Sequence, residues 1–163
     1  MGPAQIVEAR TDRDFDEGRT LFEEYAADVA VDLCFQNFTH ELAHLPEMYG
    51  PPRGCLLIVR EEAALIGCVG LRPLENDVCE MKRLYVRAAA RGQKLGRRLT
   101  LAAIEKARAL GFNRIVLDSL PSMHTAQELY RSLGFHSIEP YYTNPLPSVT
   151  YMELNLTRDI RPS

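Results

Sequence analysis

Arg91-Gly92-Gln93-Lys94-Leu95-Gly96-Arg97-Arg98 joins a β-like run, Met81 to Val86, to a helix-like run, Leu95 to Leu110. A strand that enters a glycine-bearing turn and leaves as a helix presents free backbone N–H groups at the positive end of a helix dipole. Two glycines and four Lys/Arg side chains occupy this turn. The natural guest is a phosphate or pyrophosphate. The plain alternative is a solvated basic helix start.

Charge along the chain favours a small anion. The 163 residues carry a net charge of −3, with 46% hydrophobic and 25% charged residues. Seven basic residues and no acidic one lie between Lys82 and Arg98, so the remaining chain is strongly acidic. One concentrated basic block suits a compact polyanion better than a nucleic acid, which wants a wider basic face. No membrane partner is expected, because no apolar run approaches the ~18–20 residues that span a bilayer. Met1-Gly2-Pro3-Ala4 does not open a signal peptide. Cys34, Cys55, Cys68 and Cys79 lack metal-type spacing and form no C-x-x-C. Buried free thiols in a reducing cytoplasm are expected. The length suits a single domain over residues 1–163, with the tail 157–163 frayed.

Working outward, Gln5 to Arg10 alternates as a first strand. Thr11 or Asp12 caps a helix whose apolar positions are Phe15, Leu21, Phe22, Tyr25, Val29 and Leu33. A second helix is predicted over Gln36 to Leu45, stopping before Pro46, with Glu47 to Gly54 as a turn-rich loop. Strands follow at Cys55 to Arg60, Leu65 to Arg72 and Val78 to Val86. The helix after the basic turn ends at Gly111, the usual residue beyond a helix C-terminus. Arg114 to Leu120 reads as an apolar strand, Pro121-Ser122 starts a helix closed by Gly134, and strands return at Phe135 to Ile138 and Val149 to Leu156. The pattern implies an α/β (α+β) fold: a mixed, mostly antiparallel sheet of about seven strands with helices on both faces.

Three segments in order carry a resemblance: C-E-M-K-R-L-Y-V-x4-R-G-Q-K-L-G-R-R-L from Cys79, A-x3-G-F-x2-I-x-L-D from Ala107, and A-x2-L-Y-R-S-L-G-F from Ala126. Together they resemble the GNAT superfamily of N-acetyltransferases over nearly the whole chain. The family's phosphate loop reads Q/R-x-x-G-x-G/A. Arg91 and Gly96 match its ends, while Lys94 replaces the middle glycine. Glycine there lets the backbone approach a pyrophosphate and tolerates positive φ. The resemblance implies acetyl-CoA as cosubstrate. Backbone of Leu84, Tyr85 and Val86 would pair with its pantetheine arm, and the stretch Arg91, Gly92, Gln93, Lys94, Leu95, Gly96 and Arg97 would hold its pyrophosphate. It also implies a homodimer paired through sheet edges.

Acetyl transfer to an amine must remove a proton from an alkylammonium of pKa about 10. It must also stabilise an oxyanion and protonate a leaving thiolate. By resemblance, Glu80 is the base candidate and Tyr130 the acid candidate near sulfur. On residue pattern alone, Glu80 also reads as a strand glutamate paired with Lys82 or Arg72, and Tyr130 as a core tyrosine. The family often carries an asparagine seven residues before this tyrosine; here that residue is Met123. Alternation puts Cys79 and Glu80 on opposite faces, which disfavours an acyl-cysteine route and favours direct attack in a ternary complex. Tyr49, Phe38, Tyr141, Tyr142 and Asn144 are expected to line the pocket for a small-molecule or peptide amine.

Two rival readings remain open. His40-Glu41-Leu42-Ala43-His44 matches H-E-x-x-H, the pattern of a zinc hydrolase. A surface helix with two solvated histidines is the competing account, and no metal is expected. A non-catalytic acyl-CoA sensor would share the phosphate loop and need no base.

Overall fold

The computed structural model describes residues 3–29, 33 and 37–157. Cys34, Gln36 and all of the expected frayed tail except Thr157 lie outside them. The first strand is β1 (Gln5–Glu8), followed by α1 (Asp12–Val29), α2 (Phe38–Ala43) and α3 (Leu45–Tyr49). Then come β2 (Cys55–Glu61), β3 (Ala64–Pro73), β4 (Val78–Val86) and α4 (Leu95–Ala109). The chain continues through β5 (Arg114–Ser119), α5 (His124–Ser132), β6 (His136–Ile138) and β7 (Thr150–Asn155).

All seven strands join one sheet in the order β1-β2-β3-β4-β5-β7-β6. Among the described residues only β4 and β5 pair in parallel; the other neighbours are antiparallel. Alternation sorts the side chains to two faces. Leu57, Val69, Cys79 and Met81 meet Leu95, Leu99 and Ala103 of α4. Leu56, Ile58 and Cys68 meet Phe15, Leu21, Phe22 and Tyr49 from α1 and α3. The helices therefore flank both faces, as the strand and helix periods predicted.

Local chemistry corrects two helix boundaries. The second helix does not run to Leu45 and stop at Pro46. It ends at Ala43, and α3 begins with Pro46 in its first turn, so Glu47 to Tyr49 is helix rather than loop. Proline's missing N–H costs nothing in a first turn, where no intrahelical acceptor exists for it. Likewise α5 starts at His124, because the Met123 N–H closes a turn onto the Leu120 carbonyl at 3.0 Å.

The sheet opens at its centre. Parallel pairing covers Val78–Arg114, Cys79–Ile115 and Glu80–Val116, and then stops. Both strands run on, β4 to Val86 and β5 to Ser119. On its other edge β4 carries a bulge, where the register to β3 shifts between Cys68 and Gly70. Arg83 sits in that bulge with φ +63°. A bulge adds one residue and bends its strand. The result is a wedge between β4 and β5, with one backbone edge of Met81 to Val86 paired to no strand among the described residues.

Candidate active site

The unpaired edge of β4 forms one wall of a cleft of about 1000 Å³. Leu84, Tyr85 and Val86 line it, and Met123, Ala126 and Leu129 face them. Its floor is the basic turn: Arg91, Gly92, Lys94, Leu95, Gly96 and Arg97. Gln93 is exposed and is not part of the lining. Lys94 caps α4 with φ 61° and ψ 26°, the left-handed conformation that glycine adopts freely. The lysine thus takes the backbone shape of the glycine it replaces, at a cost of roughly 1–2 kcal/mol. Arg91 turns back toward the protein: Nε donates to the Val86 carbonyl at 2.8 Å and Nη2 meets Asp28 at 3.1 Å. Arg98 donates to the Ala4 carbonyl at 3.0 Å, on the surface. Arg97 lines the cleft beside Arg91.

The wedge beyond the cleft brings Tyr130 together with residues the sequence did not single out. Tyr130, Tyr25, Lys82 and Asp118 all border it. Tyr130 is buried and packs on Phe135 with ring centroids 5.5 Å apart. Burial raises its phenol pKa, with Tyr25 and Asp118 adding to the shift. Tyr130 is therefore a protonated donor at neutral pH. Lys82 is also buried; desolvation pulls its pKa down, while Glu80 acts against that. Tyr25 reads as a core position in the α1 period, and Asp118 as part of an apolar strand. Three charged residues, Glu80, Lys82 and Arg83, within the strand Val78–Val86 were the available sign of a polar site there.

Glu80 lies in a second cavity, of about 430 Å³, shared with Arg72, Lys82, Tyr141 and Tyr142. Its Oε1 accepts from Arg72 Nε at 2.8 Å, and its Oε2 accepts from the Tyr141 hydroxyl at 2.6 Å. Arg72 is the partner that the strand pattern allowed. Tyr142 hydrogen-bonds to Asp118, and Asn144 Nδ2 donates to the Tyr142 hydroxyl at 2.9 Å. The 140–149 loop thus places two consecutive tyrosines over two carboxylates. Cys79 faces the opposite core, as alternation required, and burial pushes its thiol up to about 12.

Tyr49 does not line this cavity. It is fully buried, packs edge-on to Phe22, and donates to Glu41 at 3.0 Å. Its ring occupies the space above Gly70, where a Cβ would stand 2.6 Å from a ring carbon. Phe38 instead covers the Arg83 guanidinium, 5.0 Å from its ring centroid.

The H-E-x-x-H segment has a structural use. Glu41 is buried and grips Arg83 with two hydrogen bonds, Nε at 3.0 Å and Nη2 at 2.8 Å. Burial alone would raise the Glu41 pKa, but the Arg83 hydrogen bonds and charge outweigh it and hold the carboxyl below its usual range. His40 and His44 stack on each other at 4.0 Å, and His44 Nδ1 is 2.9 Å from the His40 carbonyl. Among the described residues no group of three His, Cys, Asp or Glu side chains is placed to hold a metal ion. The glutamate that a hydrolase would use as base is committed to an arginine.

Residues 17–135 match the Acetyltransferase (GNAT) family. An uncharacterized N-acetyltransferase of Schizosaccharomyces pombe is 42% identical over 155 residues, covering 94% of this chain and 95% of that protein. A GNAT-family acetyltransferase from Staphylococcus aureus superposes with a TM-score of 0.77 at 20% identity, over 94% of this chain and 99% of its own. A putative acetyltransferase from Salmonella typhimurium, solved with its cofactor acetyl-CoA, gives a TM-score of 0.70 at 20% identity, over 98% of both chains. Family match, whole-length relative and seven-stranded opened sheet agree: the chain belongs to the GNAT acetyltransferase family.

Proposed function

We propose that this protein transfers the acetyl group of acetyl-CoA to a primary amine, by direct attack in a ternary complex. The observation that carries the reading is the unpaired edge of β4 leading into the left-handed Lys94 cap of α4. An open strand edge suits the amide-rich pantetheine arm, held by the backbone of Leu84, Tyr85 and Val86. Backbone N–H groups at a helix N-terminus suit the pyrophosphate, with Arg97 adding charge. The structural relative solved with acetyl-CoA supports the choice of cosubstrate.

When bound, acetyl-CoA supplies an activated acyl group. This chain's part is to hold it, take protons from the amine and return one to sulfur. Glu80 is the base, set in the acceptor cavity rather than in the wedge. Tyr130 is the acid, because it borders the wedge and keeps its proton. Removing general acid–base help from such a step typically costs 10²–10⁴-fold. Cys79 is set aside by its facing and by a thiol pKa far above neutrality. A reducing cytoplasm suits the buried, unpaired Cys55, Cys68 and Cys79. No helix among the described residues is long and apolar enough to cross a membrane.

The test is an acceptor screen with acetyl-CoA: free amino acids, spermidine, and peptides with free N-termini or lysines, following released thiol. Amine-dependent thiol release supports the reading. Tight acetyl-CoA binding without turnover for any amine would replace it with a sensor.

A further inference from the structure

Glu80 meets the acceptor cavity with neither carboxylate oxygen open. Oε1 is held by Arg72 at 2.8 Å, with Lys82 Nζ 3.9 Å away. Oε2 is held by the Tyr141 hydroxyl at 2.6 Å. The Glu80 side chain is 1% exposed. Tyr141 lines this cavity beside the carboxylate it covers, so its hydroxyl oxygen is open to an amine there. The Tyr141 hydroxyl spends its one proton on Glu80 and keeps lone-pair capacity for an N–H donor. Tyr141 lines the acceptor cavity, and also a neighbouring one of about 560 Å³ formed by its own loop.

We propose that Tyr141 relays protons from the acceptor amine to Glu80. The inference rests on the transferase reading above. As the ammonium N–H bond breaks, its proton passes to Tyr141 Oη, and the proton already on Oη passes to Glu80 Oε2. Tyr141 ends as it began, a neutral phenol, and Glu80 later gives its proton to solvent. The freed nitrogen lone pair forms the new C–N bond, and the C–S bond breaks. The sulfur takes a proton from Tyr130, which recovers one from solvent. The nitrogen sheds its second proton to solvent, so each turnover releases one proton.

The two transfers are coupled. Burial and the adjacent Glu80 carboxylate raise the Tyr141 pKa, so a free tyrosinate does not form on the way. Hydrogen bonds this short and charge-assisted are the strong ones, and suit concerted transfer. Tyr141 is held in place by Tyr142 and Tyr151, each 5.4 Å from its ring centroid.

A relay and a mere cap predict opposite signs. If Tyr141 only covered Glu80, removing its hydroxyl would uncover Oε2 and leave the rate equal or faster. Tyr141→Phe keeps the ring and its packing. With acetyl-CoA prebound and the fastest amine of the screen, a relay predicts a single-turnover rate about 100-fold lower in the variant. The KM for acetyl-CoA stays as in the wild type. A variant rate equal to or above wild type overturns the relay. A second measurement needs no variant: single-turnover rates of the wild-type protein in H₂O/D₂O mixtures. Two protons in flight give a curved dependence on deuterium fraction; a straight line overturns the relay. If the wild type acetylates no amine, the transferase reading fails and the relay with it. If it does and Tyr141→Phe matches it, the relay alone fails.

Discussion

Tyr130 packs against Phe135 and at the same time borders the wedge between β4 and β5. Its ring belongs to the core and its hydroxyl is the acid we propose, so one substitution separates the two. Tyr130→Phe retains the ring, and we expect the acetyl-transfer rate to fall by about 100-fold while acetyl-CoA affinity is unchanged. Steady-state kinetics and calorimetric titration on the same preparation check this; equal rates would return Tyr130 to pure packing. Lys94 was the residue whose sequence reading was least favourable, because a side chain replaces glycine in the phosphate loop. Its φ of 61° shows that the chain accepts the left-handed shape there. No sequence pattern announces such a conformation, since it depends on the turn and helix around it rather than on lysine itself. Tyr49 failed for a related reason. Its place beside turn residues suggested a loop side chain, but the glycine at position 70 leaves room for its ring inside the core.

Strand β4 positions the site through its bulge, and the bulge is anchored from another element. Arg83 adopts positive φ, and its side chain is 2% exposed against a Glu41 side chain that is 3% exposed. Removing one member of a buried pair strands the other charge, at a cost of about 3–5 kcal/mol. We expect Glu41→Ala to lower unfolding free energy by that amount in urea, and to depress transfer through a disturbed β4. A variant as stable as wild type would show the pair to be dispensable. The start of α1 carries a separate, pH-dependent device. Thr11 Oγ1 accepts the Asp14 N–H at 3.1 Å, and Asp14 Oδ2 accepts the N–H groups of Arg10 at 2.8 Å and Thr11 at 3.1 Å. This reciprocal cap is legible as Thr-x-x-Asp before an amphipathic helix. The Arg10 N–H, foremost, holds the Asp14 carboxyl down, from 3.8 to about 2. A depressed folded pKa gives stability that is present above the unfolded value and lost as pH falls through the folded one. The Asp14 contribution should therefore be complete above pH 3.8 and decline toward pH 2. The stability gap between wild type and Asp14→Asn, followed by urea unfolding across that window, should shrink as acid is added.

At the scale of the molecule, the architecture was readable because strand alternation, helix period and turn residues agree with one another along the chain. The basic turn after β4 located the cleft for the same reason, since its signal is local. What stayed hidden depends on contacts far apart in sequence. Arg83 meets Glu41 across 42 positions, and Tyr141 meets Glu80 across 61. Neither pairing leaves a periodic trace: the strand pattern offered Arg72 as a partner for Glu80, but the Tyr141 and Glu41 contacts came only from the folded chain. The cleft also makes the whole molecule report on its ligand. A ligand that binds only the folded state at 100 times its Kd stabilises by about 2.7 kcal/mol. For a chain of this size each kcal/mol moves the melting midpoint by roughly 2–4 °C. Coenzyme A at that excess should therefore raise the midpoint of the wild-type protein by roughly 5–11 °C. Gly96 decides whether this happens. A Cβ there meets only Leu129, at 3.9 Å, so Gly96→Ala fits the cleft and should keep the shift. Gly96→Glu sets a carboxylate among the N–H groups meant for phosphate. An acidic residue near a helix N-terminus supports the helix itself, so the unliganded midpoint should hold. The shift with coenzyme A should vanish in that variant, and a shift equal to that of the wild type would remove the pyrophosphate from the N-terminus of α4.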